Sequence, residues 1–110
     1  MKNQKLPEDF EYVKEMYDDE YFPDFLVDKV KHAIKEAVTF IEEGNHHTEE
    51  IQNAFDKMVL KINAIQEEFW ANDSEIETAA RDSIAVTVRN IIQYFDINID
   101  MEEALRERDW

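Results

Sequence analysis

Residues 48–70 read TEEIQNAFDKMVLKINAIQEEFW. Within this stretch Ile51, Phe55, Met58, Ile62, Ile65 and Phe69 recur at steps of four and three. That spacing stacks side chains along one face of an α-helix, whereas a half-buried strand needs a period of two. Working outward, Pro23–Glu43 repeats the pattern through Val27, Val30, Ile34, Ala37 and Ile41. Ser74–Phe95 does so through Ile76, Ala80, Ile84, Val88, Ile91 and Phe95, and a shorter segment, Glu8–Tyr17, through Phe10, Val13 and Tyr17. Each of the three long segments predicts a helix of roughly 30 Å. Strand-like alternation is confined to Ile97 and Ile99. The reading is all-α.

The residues between the stripes agree. Gly44, the only glycine, stands just past Glu43, where a helix end favours a left-handed residue. Pro23 suits a first helical position, with Asp24 against the positive end of the helix dipole. Ser74 and Glu77 have the spacing of a capping box. Asp100 and Glu103 predict the start of a short final helix, Met101 to about Arg108. The connections near 18–22, 44–47, 71–73 and 96–99 are short, so consecutive long helices should pack antiparallel. The expected architecture is an antiparallel three- to four-helix bundle with short terminal helices, and residues 1–110 form one helical domain. Any stripe left uncovered would make a homodimer.

The chain has 110 residues and 13.2 kDa. Surface scaling predicts about 6,400 Å² exposed when folded against roughly 19,000 Å² extended, enough burial for one hydrophobic core. With 44% apolar and 12% aromatic residues, that core has its material. Zero cysteines exclude disulfides, thiolate metal sites and cysteine nucleophiles. One glycine excludes glycine-rich phosphate loops. Met1–Leu6 is polar and no apolar run reaches membrane-spanning length, so the expected location is cytoplasmic.

Twelve Lys and Arg stand against 27 Asp and Glu, a formal net charge of −15. Nonspecific nucleic-acid binding and anionic membrane surfaces are excluded as partners, because no basic patch exists to engage them. The charge peaks between Glu8 and Asp28, where nine carboxylates face Lys14 alone. Inside that run Tyr17, Asp18, Asp19, Glu20, Tyr21, Phe22 and Asp24 interleave aromatics with acids, as binding hot spots do. They also fit a plain helix start, with Tyr21 stapling onto Leu26. A second polar cluster holds Asp73, Glu75, Glu77 and Arg81, with Glu77 and Arg81 spaced for an i,i+4 pair.

Candidate chemistry is sparse. Glu43 and His46 have the Glu-x-x-His spacing of carboxylate-bridged metal bundles, but such a site needs two of these motifs, and Gly44 interrupts this one. His46 and His47 are therefore the residues a metal-dependent or carboxylate-based enzyme would use, and no metal or other cofactor is expected. Asp96, Asn98, Asp100 and Glu107 mimic calcium-loop spacing, but Met101 stands where that loop needs glycine. Ser74 and Ser83 lack a nucleophile context. No constellation argues for catalysis.

The segments Met16–Val30, Asn72–Arg81 and Arg108–Trp110 resemble a family of small bacterial proteins known only as a domain of unknown function. The resemblance implies a bacterial cytoplasmic protein and supplies no activity or ligand. It does not extend over Gly44–Ile51, and so lends His46 and His47 no support. Tyr21-Phe22-Pro23 beside Asp18, Asp19 and Glu20 is also similar in chemistry to the toxin-binding surface of colicin-type immunity proteins. The reading that follows is a non-enzymatic interaction module binding a basic protein, immunity- or antitoxin-like in kind. A metal-dependent enzyme at His46/His47 and a DNA mimic are the alternatives.

Overall fold

A computed structural model of the chain describes residues 5–110. Five helices follow in order: α1 Lys14–Tyr17, α2 Asp24–Glu42, α3 Thr48–Ala71, α4 Thr78–Tyr94 and α5 Met101–Ala104. No strand occurs among the described residues. The protein is an all-α helical bundle, as the periodicity requires. Its accessible surface, 6752 Å², lies close to the value expected for one folded domain of this mass.

The apolar stripes meet inside a single chain. Val27, Val30, Ile34, Ala37 and Ile41 of α2 are buried against Phe55, Met58, Ile62, Ile65 and Phe69 of α3 and Ala80, Ile84, Val88 and Ile91 of α4. Helices α2 and α3 form an antiparallel hairpin, pinned outside the core by Lys29–Glu68 and Glu36–Lys61 ion pairs. The backbone of α4 approaches α1 and α5 rather than α3, so consecutive antiparallel packing stops at the hairpin. The reason lies in the termini. Their short helices enter the core through Val13, Met16, Ala104 and Leu105, all buried, and lie beside α4.

Helix ends depart from expectation in instructive ways. Gly44 takes φ 79° after α2 as expected, but Asp73 (φ 58°) and Asp96 (φ 53°) end α3 and α4 in the same left-handed conformation. Asp tolerates that region better than most residues. Both ends close with Schellman bonds: the Ser74 amide donates to Phe69 O at 2.9 Å, and the Ile97 amide to Ile92 O at 2.9 Å. Ser74 is thereby committed to terminating α3, and the expected Ser74–Glu77 capping box does not form. Helix α4 starts at Thr78, with the Glu77 side chain accepting from the Ala79 amide at 3.3 Å. Pro23 is likewise an N-cap rather than a first helical residue.

The terminal helices are shorter than the periodicity predicts. Glu8–Tyr17 yields only the single turn α1, because Val13 sits at φ 44° immediately before it. A β-branched residue there is strained. The conformation persists because Val13 is fully buried and its amide donates to Thr87 Oγ1 at 2.9 Å. Helix α5 ends at Ala104 instead of Arg108, and the tail beyond it docks on a polar stripe of α3. The Gln52 amide donates to Glu103 O within α5, and along the tail Asn63 donates to Glu107 O, Gln66 to Asp109, and Arg106 forms a forked pair with Asp56.

Candidate partner-binding surface

The acidic segment is shaped by a tight turn after α1. The Tyr21 amide donates to Asp19 Oδ1 at 2.9 Å and the Phe22 amide to Asp19 O at 3.1 Å. Within this turn Tyr21 is left 44% exposed while Phe22 is only 2% exposed. Phe22 packs edge-on against Phe69 with ring centroids 6.4 Å apart. This corrects the expectation that Phe22 belongs to an exposed binding face: it is a core residue that anchors the segment. Tyr17 is half-buried, and its hydroxyl donates to Asp28. Burial first, then the Asp28 carboxylate, pushes the Tyr17 phenol well above its ordinary value. Tyr17 is therefore a strut from α1 to α2.

Asp18, Asp19, Glu20 and Asp24 are exposed. Asp24 stands in the first turn of α2, where the helix dipole favours an anion. Lys14, the lone base of the run, is engaged with Asp18 at 3.0 Å.

The second cluster lies alongside. Tyr21 stands beside Ser74, and desolvation, followed by the charges of Glu75 and Glu77, raises its phenol above the ordinary value. Two acidic segments about fifty positions apart in sequence thus share one end of the bundle. Asp73 and Glu75 are exposed and Glu77 is half-buried. Arg81 departs from expectation: its guanidinium donates to Thr78 Oγ1 at 3.1 Å and makes no ion pair with Glu77. Glu77 is occupied instead in capping α4.

Among the described residues, six large apolar or aromatic side chains are exposed: Tyr21, Phe25, Leu60, Trp70, Val86 and Tyr94. Three of these, Tyr21, Phe25 and Trp70, fall where α2 begins and α3 ends, which the Phe22–Phe69 contact and the Lys29–Glu68 pair place side by side. Phe25 and Trp70 are more than half exposed. Sequence reasoning did not single out Trp70 as an anchor. Its signal was available: Phe69 lies on the α3 stripe, and the next residue is turned by about 100° away from the core. With Lys14 and Lys29 already paired, Asp19, Glu20, Asp24, Asp73 and Glu75 have no cationic partner among the described residues.

His46 and His47 sit at the opposite end of the hairpin. His46 stacks on Phe40 with ring centroids 3.7 Å apart and nearly parallel planes. Its Nε2 lies 3.5 Å from Glu43 and its Nδ1 3.9 Å from Glu50. His47 is the N-cap of α3, its amide donating to Glu50 Oε1 at 2.8 Å. Both are thus engaged in turning the chain from α2 into α3. Among the described residues, no three histidines or carboxylates converge as metal ligands would. Asp100, from the calcium-like spacing, accepts the Glu103 amide at 3.0 Å as the cap of α5. No described helix is long and apolar enough to cross a membrane.

No curated protein and no solved structure matches the chain. A family model does, over residues 6–110, spanning the acidic turn, the three long helices and the docked tail. The chain belongs to that family, a family of unknown function designated DUF5713.

Proposed function

We propose that the protein is a non-enzymatic interaction module whose acidic, aromatic end takes a basic protein partner. The observation that carries this reading is the meeting of two acidic segments, 18–24 and 73–77, around exposed Tyr21, with Phe25 and Trp70 at the same end. Exposed aromatic rings supply contact area at small entropic cost, and the unpaired carboxylates around them raise the encounter rate with a cationic surface. Phe22 and Tyr17 serve this surface indirectly, by fixing the turn from beneath. In its immunity- or antitoxin-like form, the reading makes the partner a basic toxin that this end covers.

Immobilised protein should retain a partner from the native cell extract and release it in a modest salt gradient, because exposed charge pairs are screened within about 10 Å at 0.1 M salt. The triple variant Tyr21→Ala/Phe25→Ala/Trp70→Ala should lose the partner with its helicity unchanged. Asp19→Lys/Glu75→Lys should release it at lower salt. Undiminished recovery on both variants would refute the proposal.

A further inference from the structure

The chain beyond α5 lies along α3 as a bound peptide would. The Arg106 guanidinium forks onto Asp56 at 2.7 and 3.1 Å. The Asn63 side chain clasps the backbone of the tail, donating to Glu107 O at 2.8 Å and accepting from the Asp109 amide at 3.3 Å. Gln66 donates to the Asp109 carboxylate. Asp56, Asn63 and Gln66 recur at helical spacing, so the tail follows one face of α3 toward its C-terminal end. Trp70 stands one turn past Gln66 on that same face and is more than half exposed. The seat of the tail therefore adjoins the acidic, aromatic end.

The tail is held less firmly than the bundle. Arg106, Glu107, Arg108 and Asp109 are all exposed, and their ion pair and hydrogen bonds face water, where each contributes little. The fully buried anchors, Ala104 and Leu105, precede them. Only half-buried Trp110 adds an apolar side chain, and its indole N–H is shielded from water with no acceptor among the described residues. Leaving the seat returns that donor to water. Segments with few buried apolar contacts and exposed hydrogen bonds open before the rest of a fold.

Release does not dismantle the seat. Gln52 also donates to Asp56 Oδ1 at 3.0 Å and keeps that carboxylate in place. What is uncovered is a carboxylate whose occupant was a guanidinium, on a face leading to Trp70 and the unpaired carboxylates beyond it. We propose, resting on the reading of the acidic end as the partner surface, that the tail is an autoinhibitory latch: Arg106 occupies, within the same molecule, the place on Asp56 that an arginine of the basic partner takes. Forked pairing suits arginine at this position better than lysine. A partner reaching along α3 from Trp70 competes with the tail, so its apparent affinity falls with the fraction of molecules in which the seat is free.

The test titrates the full chain with a hexa-arginine peptide at low salt, followed by amide chemical shifts. Shift changes are expected at 18–25 and 70–77 together with 52–66 and 105–110, as the peptide displaces the tail. Arg106→Gln, which opens the latch, should bind the peptide about fivefold or more tightly. Asp56→Asn added to that variant should abolish the gain. Arg108→Gln makes the same change in net charge, but Arg108 lies over the Trp110 ring at 5.8 Å and not on Asp56, so the affinity should stay nearly unchanged. Equal gains from the two arginine variants, no gain from Arg106→Gln, or saturation at the acidic end with 105–110 undisturbed would each overturn the latch and leave the acidic end's role standing. A peptide that displaces the tail without touching 18–25 or 70–77 would support the latch and count against that role. Hydrogen exchange of the unaltered chain keeps the question decidable if a variant misfolds: the Asp109 amide should exchange through an opening that leaves α2, α3 and α4 protected. Exchange of that amide only on global unfolding would overturn the latch.

Discussion

Replacing Phe22 by alanine separates scaffold from surface within the acidic turn. Phe22 is 2% exposed and meets Phe69 edge-on, so its removal forfeits apolar transfer energy and leaves a cavity between α2 and α3. Buried Phe→Ala changes cost about 3–5 kcal/mol. Tyr21→Ala, one residue away, removes a ring that is 44% exposed and touches Phe22 only by an edge, and should cost about 1 kcal/mol or less. Urea unfolding followed by far-ultraviolet dichroism resolves the two. With a slope of about 1–3 kcal/mol per molar, the Phe22→Ala midpoint should fall by roughly 1–5 M and the Tyr21→Ala midpoint by about 1 M at most. A domain of this size is stable by only about 5–15 kcal/mol, so Phe22→Leu provides a milder variant, expected to cost less than about 1.5 kcal/mol. Partner retention should order the other way at temperatures where both variants are folded, with Tyr21→Ala the more damaging. If Phe22→Ala costs less than about 1 kcal/mol, or Tyr21→Ala costs as much as Phe22→Ala, the assignment of inside and outside in this turn is wrong.

Thr87→Val removes the acceptor of the buried Val13 amide and should cost about 1–3 kcal/mol in urea unfolding, with Thr87→Ser restoring most of it; equal stability of all three would contradict the bond. Gly44→Ala forces a Cβ into φ 79° and should cost about 1–2 kcal/mol, measurable as a lowered melting temperature. Burial pushes the Asp56 carboxyl up, but hydrogen bonds from Arg106 and Gln52 and the Arg106 charge outweigh it and leave it below its ordinary value of 3.8. A depressed carboxylate contributes stability that is present above its unfolded value and lost as pH falls through its folded value. The gap in stability between the native chain and Arg106→Gln should therefore be full at pH 7 and close in acid below about pH 4; a gap that persists at pH 2 would count against the pair.

Periodicity carried the three long helices because a stripe with steps of three and four has one stable solution once it can be buried. Gly44 was legible for a similar reason: few residues accept its conformation. Asp73 and Asp96 were harder to read, since Asp also begins helices and faces water, and only the Schellman bonds to Phe69 and Ile92 fix their role. Ser74 shows how one backbone group decides between two local motifs. Its amide is spent ending α3, so α4 begins late. The split between Tyr21 and Phe22 depends on the geometry of a turn, which composition does not contain. Likewise the meeting of Tyr21 with Glu75 and Glu77 depends on where α3 returns the chain. Gln52, Asp56, Asn63 and Gln66 do form a polar stripe at helical spacing along α3, a signal of the docked tail that apolar periodicity alone passes over.

Amide hydrogen exchange of the protein with its captured partner tests the central claim most directly. Protection on binding should appear in residues 18–25 and 70–77 together, two segments joined only by the fold, and should fade as salt is raised. Protection confined to the docked tail, or a partner that protects neither acidic segment, would contradict it.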